Sequence, residues 1–175
     1  MFEGWTEYFF MIGSSAAALI GLMFVVVTLT SGRDRDQTES GKHFYTSPVV
    51  WNLGVVLFIS GAAVAPTMTP LLFTAVVGVT AFVGLFLGLR SAVGIRRTQI
   101  SGKKFMTFDM WWYGIIPALI YIGLVVCAAA IETGQHWAVS AVAANLMALL
   151  LVSIHAEWDL VTFLAPMAPA AEKKD

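Results

Sequence analysis

Towards the end of the last apolar tract, His155 and Asp159 stand four residues apart. On a helix that spacing puts an imidazole and a carboxylate on one face, one turn from each other. Such a pair can relay a proton, supply two metal ligands, or form the mouth of a polar path. Traced backwards in steps of three and four, the same face carries Val152, Ala148, Asn145, Ala141 and Ala138. It therefore joins an amide at mid-tract to small residues that leave room beside it. A metal would need two more ligands, from His43 or Glu157, and Glu157 lies two residues from His155 and so points off the face. No metal site is expected. His136 and His155 stand at opposite ends of one helix, about 28 Å apart at the helical rise per residue, too far to share a haem. No cofactor is expected.

A second stripe lies in the first apolar tract: Glu7, Met11, Ser14, Ala18, Gly21, Val25 and Thr28. Taking the first and last tracts as antiparallel puts Thr28 and His155 at one depth. Asn52, Arg90 and Asp109 fall in the same layer. The candidate polar layer or pore lining is Ser14, Thr28, Asn52, Arg90, Asn145, His155 and Asp159. One reading is a vestibule or ion path, because polar groups inside a membrane face a partner or water. An imidazole at its mouth would make flux depend on pH between about 5 and 8. The other reading is a satisfied interior, with Asn145 bonded to a neighbouring helix and Arg90 paired with Asp159, Glu157 or Asp109. Enzyme motifs are lacking: no nucleophile with a base at its depth, no histidine box, no phosphate loop. Cys127 lies within an apolar tract, where thiols are inert. A non-enzyme is expected.

The elements that hold these residues are membrane helices. The chain has 175 residues, 58% apolar and 12% charged, where soluble domains have roughly 45–50% and about 25%. A net charge of −1 excludes a nucleic-acid binder, which must neutralise many phosphates. One cysteine excludes a disulfide framework. A bilayer core takes about 20 apolar residues per helix, and five tracts qualify: 8–30, 48–65, 70–92, 110–131 and 137–157, the last free to continue to 163. The fold class is an all-α integral membrane bundle of five transmembrane helices. Residues 1–165 form one membrane domain and 166–175 a disordered cytoplasmic tail.

Local signals mark the helix ends. Ser47-Pro48 and Thr69-Pro70 each offer a hydroxyl N-cap followed by proline at the first helical position. Asp109 can cap the fourth span, Gly134 suits a left-handed residue just past its end, and Pro117 should kink it. All ten Lys and Arg residues fall in the first loop, in or beside the third loop, or in the tail, which five spans place on one side. By the positive-inside rule the N-terminus is outside and the C-terminus cytoplasmic. Trp5, Trp111, Trp112, Tyr113, Trp137 and Trp158 fall near span ends, as interfacial aromatics do. The first loop, Ser31–Ser47, alternates charges and reads as a solvated loop or short exposed helix. Arg96, Arg97, Lys103 and Lys104 at the bilayer edge fit anionic lipid headgroups. The N-terminus lacks the basic region of a signal peptide and reads as an anchor.

Small residues set where helices can touch. Gly13, Ala17 and Gly21 form one ladder at spacing four, and Gly84 and Gly88 another. Each can serve packing within the bundle or an interface between subunits. The stretch Gly13-Ser14-Ser15-Ala16-Ala17-Ala18-Leu19-Ile20-Gly21-Leu22-Met23-Phe24-Val25, the Phe44-Tyr45-Thr46-Ser47-Pro48 segment and the Ala156-Glu157-Trp158-Asp159-Leu160-Val161-Thr162 segment resemble those of short multispanning bacterial inner-membrane proteins. The resemblance implies a bacterial inner-membrane location and carries no activity. The leading expectation is a homo-oligomeric channel or pore for small ions or solutes, its path lying between subunits and lined by the stripe of the first or last span. The alternative is a non-catalytic accessory or scaffold subunit of a larger membrane complex, since deep charges are scarce.

Overall fold

The structure is a computed structural model that describes residues 4–30, 35–100 and 111–164; the helical stretches 35–48 and 91–100 and a few helix-end residues are described by backbone alone. It is all-helical: α1 Thr6–Thr30, α2 Arg35–Val64, α3 Pro70–Ile100, α4 Ile116–Glu132 and α5 Ala138–Leu164. A π-helical turn, Trp111–Ile115, leads into α4. Stretches long and apolar enough to cross a membrane are Thr6–Val26, Pro70–Arg90 and Ala138–Asp159, in α1, α3 and α5. Shorter apolar stretches, Val49–Val64 and Ile116–Glu132, belong to α2 and α4. Phe10, Phe24, Phe82, Leu71 and Leu119 lie exposed on the outside of the bundle. Apolar surface this extensive needs a cover other than water, which supports a membrane protein.

The core is one apolar cluster to which every helix contributes. Phe9 and Ile12 of α1, Leu53, Val56 and Ile59 of α2, Phe73 and Val77 of α3, Leu124 of α4, and Leu146 and Leu149 of α5 are fully buried. Each helix is antiparallel to the next. The short links after α1 and α2 cannot span a helix length at about 3.5 Å per residue. Gly78 lies by Ala128 and Gly84 by Tyr121, which reverses α4 against α3. Trp112, at the start of the π turn, meets His155 near the end of α5. Four reversals make α1 and α5 parallel, which corrects the antiparallel expectation. Thr28 and His155 still share one end of the bundle, because both helices finish there.

The caps divide into two groups. At Thr69 the hydroxyl accepts from the Leu72 N–H at 3.3 Å, so Thr69-Pro70 starts α3 as expected. Gly134 has φ +72°. Its N–H donates to the Ile131 carbonyl, and the Gln135 N–H reaches back to Ala130, both at 2.9 Å. That is a Schellman ending, which satisfies two carbonyls the helix leaves open. Ser47-Pro48 behaves otherwise: α2 begins at Arg35 and runs through both residues. A proline is tolerated within a helix when the carbonyl it leaves unbonded finds another arrangement, so the pair does not mark a start. The third helix likewise continues past 92 to Ile100. Pro117 does not kink the middle of a helix. It stands in the first turn of α4, and the residue whose carbonyl its ring would strike, Tyr113, belongs to the wider π turn. The Asp109 cap, the side chains of Arg96 and Arg97, Lys103, Lys104 and the tail 166–175 lie outside the described residues.

Candidate functional site

The end of the bundle where α1, α3 and α5 finish holds a small polar group. His155 Nε2 lies 3.5 Å from Asp159 Oδ2, one turn on along α5. The imidazole is tilted against the Trp112 ring, with centroids 4.3 Å apart. The π turn sets this contact by carrying Trp112 back over the end of α5. Both side chains of the pair are partly open, so water or a headgroup can reach them. Arg90 is exposed, and His155 and Asp159 stand in close contact in this layer. Glu157 Oε1 has no hydrogen-bond partner.

Asn52 and Asn145 are not in that layer. Asn52 is buried, and its Oδ1 accepts a 2.7 Å hydrogen bond from the Tyr121 hydroxyl. Tyr121 lies nine residues into the chain from Trp112, about 13 Å deeper along the helix. Its ring packs against Gly84, where a Cβ would collide with the ring atoms Cδ1, Cε1 and Cζ. One tyrosine therefore ties α2, α3 and α4 together. Asn145 faces α4: its Nδ2 donates to the Ala141 carbonyl at 2.8 Å and approaches Cys127 Sγ at 3.8 Å. Its Oδ1 fills the space that a side chain at Gly123 would need. The α5 stripe is thus largely turned towards the bundle, with Ala138 and Val152 buried.

The α1 stripe is turned the other way. Glu7, Met11, Ser14, Ala18, Gly21, Val25 and Thr28 are all exposed. The Thr28 hydroxyl donates to the Val25 carbonyl at 2.8 Å, as a hydroxyl does when its own helix offers the nearest acceptor. Of the ladder residues, Gly13 is buried and meets α2, where its Cβ would stand 3.1 Å from Ser60 Cβ. Ala17 is exposed, and Gly21 has open space around it. On α3 Gly84 is spent on Tyr121, while Gly88 has open space. The two ladders therefore each divide between inward and outward contacts.

Two residues of consequence stand outside the candidate polar layer read from the sequence. Tyr121 carried no signal beyond being a polar-tipped aromatic within an apolar tract. Glu157 carried a usable one: it is an acidic residue inside the last apolar helix, and such a residue needs a partner or a purpose. The residue is 8% exposed, and its Oε1 has no hydrogen-bond partner. It lines a pocket of about 280 Å³ between α1 and α5. Among the described residues no group of three or more His, Cys, Asp or Glu comes together as a metal site.

No protein-family model matches the chain, and neither do any of the curated proteins or solved structures compared with it.

Proposed function

We propose that the chain is a five-span inner-membrane protein of bacterial type, N-terminus outside and C-terminus cytoplasmic, that assembles with further copies of itself through α1. In that assembly a narrow path for small ions or solutes lies between copies, with Ser14 and Thr28 facing it. The observation that carries the reading is the outward stripe of α1. A helix that meets only lipid can carry bulk everywhere, whereas one that meets another polypeptide carries small residues. Here all seven stripe residues are exposed, and three of them are Ser14, Ala18 and Gly21. The alternative conduit, the α5 stripe, has its amide engaged with α4. Orientation rests on the ten basic residues and the positive-inside rule.

The experiment has three parts. Single cysteines at Ser14 and Ala18, in a Cys127→Ala background, are expected to form disulfide dimers in native membranes, and Phe82→Cys is not. Glu132→Cys should react with an impermeant thiol reagent from outside, and Lys103→Cys only after permeabilisation. Liposomes containing the protein should pass ions or small solutes, and Ser14→Leu should reduce that flux. Equal cross-linking at Phe82 and Ser14 would sink the assembly. Silent liposomes with cross-linking retained would leave a scaffold subunit. That second reading is favoured by one feature: Asn52, Asn145 and Ser153 are hydrogen-bonded inside the bundle, so no polar path is needed to satisfy them.

A further inference from the structure

Glu157 is more than nine-tenths buried, and its Oε1 has no hydrogen-bond partner. It stands where α5 meets the second half of α1, beside Leu22, Met23 and Val26. None of these can titrate or carry charge. Along α1 the titratable groups are Glu7 and Tyr8, both near its start. On α5 itself His155 and Asp159 occupy another face, in contact with each other. The stretch Val49–Val64 of α2 has no titratable group. The first one along α4 is Tyr121, bonded to Asn52. Arg90 of α3 is exposed. The side chains of α2 before Val49 and of Tyr113 in the π turn lie outside the described residues.

Whether this packing can stand depends on one proton. A neutral acid buried among apolar side chains costs what a polar group costs, and an ionised carboxyl without a partner costs far more. When the proton leaves to the aqueous phase at that end of the bundle, the charge has to reach water or headgroups, and the contact with α1 stands over it. Of the two helices α1 is the one free to yield. Of its spanning stretch 28% is buried, against 50% for that of α5. Its first half is held by Phe9, Ile12, Gly13 and Ala16, all buried, whereas Met23 is the buried residue of its second half among those described. We propose that Glu157 is a proton-operated switch on the α1–α5 contact. With the neutral acid the second half of α1 lies closed on α5, and with the ionised carboxyl it swings away about its first half. The switch acts within one copy and does not rest on assembly through α1.

The test uses full-length protein in phosphatidylcholine nanodiscs, with Cys127→Ala as background. Nitroxide labels go on Leu22→Cys and Ile154→Cys, which are exposed on the two sides of the contact. Dipolar broadening of the spin-label spectrum is followed from about pH 5 to about pH 9, a range that begins above the titration of an exposed carboxyl. Strong broadening is expected at the acid end and its loss at the alkaline end. Glu157→Gln, which keeps the shape and cannot ionise, should stay broadened throughout. Glu157→Met, apolar and of similar length, should do the same and serves if the glutamine variant does not fold. His155→Gln should leave the response to pH unchanged. Equal broadening at both ends of the range in the otherwise wild-type protein would overturn the proposal. So would a response that persists in the neutral variants, or one abolished by His155→Gln, which would assign the switch to the imidazole.

Discussion

The Tyr121 hydroxyl and the Asn52 carboxamide meet at 2.7 Å in the middle of the bundle, both side chains buried. They are 69 residues apart in sequence, and each satisfies a group that would otherwise be stranded among apolar side chains. Tyr121→Phe removes the donor and leaves Asn52 Oδ1 unpaired. The expected loss is about 0.5–1.5 kcal/mol, to be read as a lower midpoint in denaturant unfolding of the detergent-solubilised protein. An unchanged midpoint would mean that the bond is not made.

Gly84 lies beneath that same ring. A methyl there would come within 2.7 Å of Tyr121 Cδ1, with other ring atoms nearer still. Gly84→Ala should therefore destabilise the protein by about 1–3 kcal/mol, the range for overpacking a filled interior. Adding Tyr121→Leu should recover part of the loss, and a coupling of about 0.5 kcal/mol or more would identify the two as contacting partners. Gly88→Ala, with nothing within 4 Å, should be silent by the same measurement.

The pair Gly123 and Asn145 separates two uses of an amide in a membrane helix. If Asn145 serves the α4–α5 contact, Gly123→Ala should lower stability by about 1–3 kcal/mol, and Asn145→Ala should relieve it. Flux through any reconstituted path should not change in the double variant. A change of flux with stability intact would assign the amide to the conduit instead.

Gly134→Ala places a Cβ on a backbone with φ +72°. The left-handed region costs an L-residue roughly 1–2 kcal/mol, and Asn tolerates it better than Ala. The thermal midpoint should fall in the order Gly134, Gly134→Asn, Gly134→Ala. A reversed order would mean that the Schellman ending does not hold the turn.

The signals legible in the sequence were local ones. Thr69-Pro70 and Gly134 could be read because a cap acts on the few residues beside it. Ser47-Pro48 has the same appearance as Thr69-Pro70, yet α2 passes through it, since proline permits a first turn without requiring one. The small residues Gly84 and Gly123 were visible, but their partners were not. Tyr121 and Asn145 find them through the register of helices that meet only in the bundle. Glu157 stands off the face that carries His155, so the periodicity of that face does not include it. It lies on the side of α5 that meets α1, and among the described residues its Oε1 has no hydrogen-bond partner. The outward stripe of α1 could be traced as a periodicity, but periodicity does not say which way a face points when all sides of a helix are apolar.

The Schellman ending at Gly134 also bears on how the chain reaches its membrane. Only Thr133–Trp137 separates α4 from α5, too little to leave a free loop between them. α4 has 17 residues, at the short limit for crossing a bilayer core, while α5 is long and apolar. In the five-span arrangement proposed above, the two would partition into lipid as a hairpin, the longer helix carrying the shorter in. Asn145 would then meet Gly123 and Cys127 before any other helix is in place, and its amide would enter hydrocarbon already engaged. On that arrangement a turn of a few residues sets the order of insertion, ahead of the contacts that complete the bundle.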